Sequence, residues 1–575
     1  MKKIISILLV ISMLVITSGC AKSNQVESDE QPTTEAEGKE TSESSDTLTG
    51  IELLNQGVTD YKYKAGELKK WDDEITVTFG RPLDPDATEL VAMKEIGEPY
   101  NDNRWTRYYK EALNINCEYT LTVANGNDYN QKLLLAMSSG ELPDVFWIND
   151  LSMVSQMAEA GAIYDLTEIY QNNVNETFGK LIEAEGTGIY STGMYDGKLY
   201  AIPQKMPSTN AYDHLWVRRD WLEKLNLEIP ATMDDVKNVA KAFKDNFEDN
   251  IGMMFGNNFM WEQEGIFWAF GGGDNMARNH WYLQEDGTLA FSEVQPEMKA
   301  GLAWLNDMYV SGLMNTEWAT EDTYTALSNY IATNRCGIFY GPHWYGFSLQ
   351  NFEDSMDETA DWIPVGLPSA NGEEIKVRAN NITDGWLCVS SNSENPEAAV
   401  QLLNAYAEKL FGENNDFANF FACEQNSSLW KATPVWSLSA TVDLDPCQTM
   451  MDAWDDSTKT MDESKLSGAG KTYWEYIEQG MSAYKYMFGP VDSCFTFVKK
   501  TYPDIMMWNE YNGAPTPTQA EKWSYMQELI DTYYLKMILG EVDIETGFDD
   551  MVKEWHQIGG TEVTNEINEL YSSYK

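Results

Sequence analysis

The sequence predicts an α/β fold built as two large lobes, on three observations. Strands and helices alternate at short spacing from residue 75 to 148, a second such run starts near residue 215, and about 500 residues remain once a polar N-terminal stretch is set aside. Alternation with short connections implies right-handed crossovers and a mostly parallel sheet.

The first run opens with ITVTF at Ile75, whose alternating β-formers read as a strand. The stretch from Asn103 to Leu113 reads as a helix, EYTLTV as a second strand and Tyr129 to Ser138 as a second helix, with Asp128 as its cap and Gly140 as its stop. DVFWI then makes a third strand. Ligands of open α/β sheets bind beyond the carboxyl ends of the strands, so Gly80, Arg81 and the turn from Trp147 to Asp150 are the expected contact points. The second run begins at LWVRRDWL. Thr232 with Asp235 predicts a capping box, and Met233, Val236, Val239, Ala240 and Phe243 share one face of the helix that follows. Further helices are expected from Pro296 to Val310 before Gly312, from Asn395-Pro396 to Gly412, and from a Thr518 and Glu521 box to Gly540.

Net charge is 40 basic minus 91 acidic residues, or −51, so phosphate backbones are repelled and nucleic acid is not an expected partner. The four histidines, His214, His280, His343 and His556, show no metal-ligand spacing, so no structural zinc or His-based centre is expected; no cofactor is expected and no metal ligand is assigned, although the absence of a D-x-[DN]-x-[DN]-G loop leaves an irregular calcium site open. Cys117, Cys336, Cys388, Cys423, Cys447 and Cys494 form no CxxC pair and read as buried thiols, although spacing alone leaves disulfides open. Enzyme signatures fail as well. Gly468-Ala469-Gly470-Lys471-Thr472 resembles the end of a phosphate loop, but the required earlier glycine is Lys465. Gly271-Gly272-Gly273 lacks GxGxxG spacing, and no GxSxG elbow occurs.

At the N-terminus, two lysines precede an apolar run from Ile4 to Ile16 that is too short to span a membrane, followed by Ser18-Gly19 and Cys20. This is the pattern of an export signal (1–19) ending in a lipobox, with Cys20 as the lipidated first mature residue and Thr17 where Leu is usual. Residues 21–47 are almost wholly polar and acidic and read as a flexible tether.

Aromatic residues make up 13% of the chain, with 20 Trp and 31 Tyr. Four segments set Trp beside Gly, Asn or Asp: FWIND (146–150), FWAFGGG (267–273), YGPHWYG (340–346) and NNITDGW (380–386). A sugar needs flat aromatic faces for its CH surfaces and polar groups around its hydroxyl rim, which is what such segments supply.

GELPDVFWIND, AGAIYDLTEI, GKLYAIP, LWVRRDWLEKLNLEIPATMDDV and the closing TPTQAEKW…KMILGEVDIETGFDDMVKEWHQIGG resemble the solute-binding lipoproteins of carbohydrate ABC importers from Gram-positive bacteria. The similarity is to the aldouronate-type, LipO-like group and runs from about residue 75 to the C-terminus. It implies a periplasmic-binding-protein type II fold, in which two α/β lobes are joined by hinge crossings around a ligand cleft. The expected division is signal 1–19, lipidated Cys and tether 20–70, lobe 1 at 71–212, lobe 2 at 213–365, a return to lobe 1 at 366–428, and mainly lobe 2 with C-terminal helices at 429–575.

The resemblance also implies no catalytic residues and a set of ligand contacts. Trp344 is the first stacking candidate, followed by Trp147, Asn149, Asp150, Trp268, Asn380, Asn381 and Trp386, with Arg81 and Trp105 behind them. Arg218 and Arg219 read as a structural pairing, and Lys205 could face either way. The expected protein is a monomeric, membrane-anchored receptor that hands an oligosaccharide, neutral rather than uronic, to permease subunits. A secreted glycoside hydrolase and a surface peptide receptor or adhesin share parts of this pattern.

Overall fold

The computed structural model describes residues 68–574 except 85–87, 125, 184–189, 191, 259–262, 271–276, 356, 371, 373–374, 380–382, 422–428, 467, 512 and 514. The signal, Cys20, the tether, Cys423, Asn380 and Asn381 therefore lie outside the described residues.

The first run folds almost as its pattern dictates. Strand β1 (Ile75–Pro82) is followed by helix α1 (Arg104–Leu113), which Asn103 caps by accepting the Trp105 and Thr106 N–H groups and which Asn114 ends in the left-handed region (φ 63°). Strand β2 (Ile115–Val123) leads to α2 (Gly126–Ser139), β3 (Val145–Ile148) and α3 (Leu151–Glu159). Helix α2 begins at Gly126, so Asp128 sits in its first turn and is not its cap; Gly140 stops it at φ +73° as expected.

Strand β1 pairs in parallel with both β2 and β3. Strand β4 (Ala201–Lys205) completes the sheet from the far side, while β5 (Asp213–Arg218) lies at the centre of a second sheet. Helix α4 (Met233–Asn246) carries the Thr232/Asp235 box and buries all five residues of its predicted face, and α5 (Met298–Val310) follows. Strands β6 (Ile338–Pro342) and β7 (Trp362–Val365) flank β5, both antiparallel to it. The chain then returns to the first sheet as β8 (Thr383–Val389), which inserts antiparallel between β3 and β4, giving the order β2-β1-β3-β8-β4.

Because β8 comes back, the chain passes between the two sheets three times, with described passage residues at 206–212, at 366–370 and 375–379, and at 429–443. The first and third passages are laced together. Leu438 N–H donates to Lys205 O (3.0 Å), Lys205 N–H to Ser437 Oγ (3.0 Å), Gln204 Nε2 to Trp436 O (3.1 Å) and Thr209 Oγ1 to Ala440 O (3.2 Å). The second is held by Arg378, whose Nε and Nη2 donate to Glu264 Oε2 (2.9 and 2.7 Å). The adjacent Gly265 N–H donates to Asp213 Oδ2 at the end of the first passage.

Helix α6 (Ala398–Phe411) buries ten consecutive residues, Ala398 to Ala407, and packs against α1. It starts at Ala398, two residues beyond Pro396, which stays in the preceding turn. Trp105 stacks on Tyr406 of α6 (5.0 Å between centroids), meets Phe420 edge-on (4.8 Å) and donates from Nε1 to Leu429 O (2.9 Å). Helix α7 (Leu444–Ala453) takes the chain out of the third passage. Near the C-terminus, α8 (Pro517–Ile538) is capped by Thr516 with Gln519 and has Pro517 in its first turn; Thr518 instead bonds Glu566 of the last helix. Helix α9 (Ile544–Trp555) ends in Trp555, stacked on Phe291. Among the described residues no helix is long and apolar enough to cross a membrane.

Trp105 is thus a core residue, and Trp105→Ala should cost about 3 to 5 kcal/mol in urea unfolding through the cavity it leaves. A loss below about 1 kcal/mol would contradict its burial.

Candidate site at the strand ends

Register places one group of side chains along a single edge of the first sheet. Phe79 pairs with Val145 and Gly80 with Phe146, so Arg81 lies level with Trp147. Leu387 pairs with Trp147 across β3 and β8, and Thr383 pairs with Lys205 across β8 and β4. The carboxyl ends of three parallel strands therefore meet the amino end of the antiparallel β8, and residues 429–440 run along the same edge.

Trp147 is half-buried, its ring 6.4 Å from that of Tyr129. Asn149 is exposed and accepts a hydrogen bond from Asn130 Nδ2 (3.0 Å). Arg81 Nη1 donates to Thr433 O (2.7 Å), and its guanidinium also bonds the Tyr119 hydroxyl. Asp384 is exposed, yet enough protein surrounds it that burial raises its carboxyl pKa against the opposing pull of Lys431 and Arg81.

The second group sits at the carboxyl end of β6. Trp344 is half-buried and meets His343 edge-to-face at 5.2 Å. His343 and His214, the latter paired with Gly341 across β5 and β6, are both buried, and burial pushes each imidazole down to about 3. For His214 the neighbouring His343 adds to the depression. Both rings are therefore neutral at physiological pH.

Several sequence expectations need correction. Trp268 is 2% exposed and Trp105 fully buried, so neither offers a face to a ligand in this conformation. Trp386 is 8% exposed and donates from Nε1 to Thr192 Oγ1 (3.0 Å), a packing role in the second core cluster. Asp150 caps α3, accepting from Ser152 N–H (2.8 Å) and Ser152 Oγ (2.6 Å). Lys205 is buried, with Nζ reaching Ile182 O (3.3 Å). Arg218 pairs with Asp220 and Asp357 and lies over Trp221, while Arg219 pairs with Asp361 and Asp492, the structural role expected of both.

Asp384, Gly385, Lys431 and Thr433 join this edge without a sequence expectation of their own, although the first two lie inside the NNITDGW segment. The five described cysteines are free and buried, and burial raises each thiol's pKa. Among the described residues no group of three or more His, Cys, Asp or Glu could hold a metal ion. A cavity of about 320 Å³ lined by Tyr108, Glu408, Lys409, Glu413 and Asn414 lies beside α6, away from both strand ends.

Two sheets joined by three passages, each presenting an aromatic residue at a strand end, define a ligand-binding architecture. The family profile of bacterial extracellular solute-binding proteins matches residues 87–409, and the chain belongs to that family. It is 22% identical over 478 residues to the polygalacturonan/rhamnogalacturonan-binding protein YtcQ of Bacillus subtilis strain 168, covering 80% of this chain and 86% of that protein. It is 23% identical over 491 residues to lipoprotein LipO of the same strain, covering 80% and 87%. Among solved structures it is similar to the Streptococcus pneumoniae ABC-transporter substrate-binding protein FusA in complex with kestose, at a TM-score of 0.58 and 18% identity, covering 87% of this chain and 99% of that one. The solute-binding type II fold expected from the sequence is thereby confirmed.

An imidazole whose folded pKa lies near 3 against an ordinary 6.5 binds its proton only in the unfolded chain between those values. Stability is therefore lost as pH falls below about 6.5, by about 1.4 kcal/mol per pH unit for each such histidine. In denaturant titrations from pH 6.5 to 4.5, His343→Phe should show a loss shallower than wild type by about that amount. Identical slopes would contradict the burial of a neutral His343.

Proposed function

We propose that this protein is a lipid-anchored extracellular receptor of the aldouronate-type, LipO-like group that captures an oligosaccharide and delivers it to an ABC permease. The observation that carries the reading is the placement of half-exposed Trp147 and Trp344 at the strand ends of two different sheets that share three crossing segments. The named functions of the relatives support the ligand class: YtcQ is named for polygalacturonan and rhamnogalacturonan, and FusA was solved with kestose. The protein binds and does not turn over its ligand. Residues 71–212 and 366–428 make up the first lobe, and residues 213–365 with most of 429–575 the second.

A saccharide between the two edges touches both lobes and so stabilises the closed arrangement by its differential affinity for it. Micromolar affinity corresponds to about 8 kcal/mol. Aromatic faces at about 0.5 to 1.5 kcal/mol each, with sugar hydroxyls bonded to Asn149 and donating to the Asp384 carboxylate, supply part of that against ordering costs.

A neutral sugar is favoured over a uronic one, because the basic groups nearest the edge are already engaged. Arg81 is committed to Thr433, Tyr119 and the field of Asp384, exposed Lys431 lies over the Trp430 ring (4.9 Å) and is drawn on by Asp384, and Lys205 is buried against Ile182. A carboxylate ligand would have to break such contacts to find a counter-charge. Cys20 retains the monomeric receptor at the membrane, where a tether of 27 residues keeps it at high effective concentration beside its permease.

Calorimetry with kestose, xylo-, gluco- and galacto-oligosaccharides, oligogalacturonate and a peptide pool tests the class. We expect heat from at least one neutral oligosaccharide and no product formation on incubation. Turnover of any sugar, or tight peptide binding without sugar heat, would refute the reading. Trp344→Ala should weaken binding of that oligosaccharide by at least about tenfold while leaving the melting temperature of the free protein nearly unchanged. A large loss of stability would mark Trp344 as core.

A further inference from the structure

We propose that the Asp384-Gly385 bulge of β8 is a built sugar subsite, in which Gly385 is the positioning residue that seats the Trp147 indole and Asp384 is the hydroxyl-accepting carboxylate beside it. This rests on the reading of Trp147 as a ligand contact.

The pairing of β8 with β4 slips between Thr383 and Gly385: Thr383 faces Lys205 while Gly385 faces Gln204, its immediate neighbour. Asp384 is the extra residue of that bulge, which accounts for an exposed carboxylate on an interior strand. On the other side of β8, Leu387 is the direct partner of Trp147, so Gly385 is its diagonal neighbour on the same face. The indole lies against the bare backbone there. A Cβ on residue 385 would stand 2.3 Å from Trp147 Nε1 and 2.4 Å from its Cε2, well inside any allowed contact, and 2.7 Å from Ile148 O. Tyr129 borders the same indole, and Gly80 leaves room for the Tyr129 hydroxyl in turn, since a Cβ at 80 would be 3.1 Å from it.

The physical consequence is pre-organisation. An indole held by a glycine bed and a neighbouring ring keeps its orientation without ligand, so stacking a sugar on its open face carries little additional ordering cost. The same bulge turns the Asp384 carboxylate outward within two residues of that bed, where it can accept hydrogen bonds from adjacent sugar hydroxyls. The substrate class that fits is a neutral sugar ring with a bare CH face and vicinal hydroxyls. One backbone irregularity thus supplies both the flat surface and the polar rim.

A double-mutant cycle tests this with kestose and trigalacturonate as probes in calorimetry, and with near-UV circular dichroism of the free proteins as a second readout. Gly385→Ala should weaken binding of kestose on the order of tenfold in the wild-type background and add nothing in a Trp147→Ala background, and its change in the near-UV spectrum should vanish there too. If Trp147→Ala leaves affinity intact, the reading of Trp147 as a ligand contact fails. If Trp147→Ala loses binding while Gly385→Ala retains it, the positioning role is overturned and that reading stands. Should Gly385→Ala fail to fold, the proposal requires that the double variant folds, because removing the indole takes away the two closest contacts; failure of both would place the obstacle at the Ile148 carbonyl or in the backbone of residue 385 (φ +157°) and overturn it. Should neither probe bind the wild type, the near-UV difference spectra decide the positioning role alone: persistence of the Gly385→Ala change without Trp147 overturns it. Tighter binding of trigalacturonate than of kestose would overturn the neutral substrate class.

Discussion

The antiparallel insertion of β8 between β3 and β4 is the constraint on which the rest of the structure depends. A sheet closed by a strand from late in the chain obliges the backbone to leave for the second sheet and come back, and then to leave once more. The three passages follow from this, as does the lacing of the first to the third through Lys205, Gln204 and Thr209. The same insertion brings Asp384 and Gly385 alongside Arg81 and Trp147, which lie about 300 and about 240 residues earlier. A binding edge assembled from segments this far apart in sequence exists only once the long-range pairing has formed.

Much of the scaffold was legible in the sequence because it rests on local chemistry. Alternation in ITVTF and DVFWI, the Thr232/Asp235 box and the stop at Gly140 each report a backbone preference within a few residues. Errors at Asp128, Pro396 and Thr518 are shifts of two or three residues at helix starts. The parallel character of the first sheet was readable, but the antiparallel strand within it was not, because no local signal announces which distant strand will pair.

The site was less legible. Composition could say that Trp was abundant beside polar residues, but not which indoles keep an open face. Trp105 and Trp268 lie in similar surroundings to Trp147 in sequence, yet the first is covered by Tyr406 and Phe420 and the second is fully enclosed. Burial depends on what the fold stacks above a residue, and that is a tertiary fact. Asp384 was overlooked for the converse reason: among 91 acidic residues nothing in sequence distinguishes a bulged carboxylate at a strand edge from a solubilising one. The glycine next to it was the available clue.

In the proposed receptor the two aromatic-bearing edges approach each other around an oligosaccharide. Spin labels on cysteines introduced at exposed Leu135, on α2 beside the first sheet, and exposed Val310, at the end of α5 beside the second, report that approach directly, since the described native thiols are buried. Electron–electron distance measurement should show a single shift to shorter separation on saturation with an oligosaccharide that calorimetry shows to bind, and no shift with one that does not. An unchanged distance distribution at saturating ligand would contradict closure as the mechanism of capture.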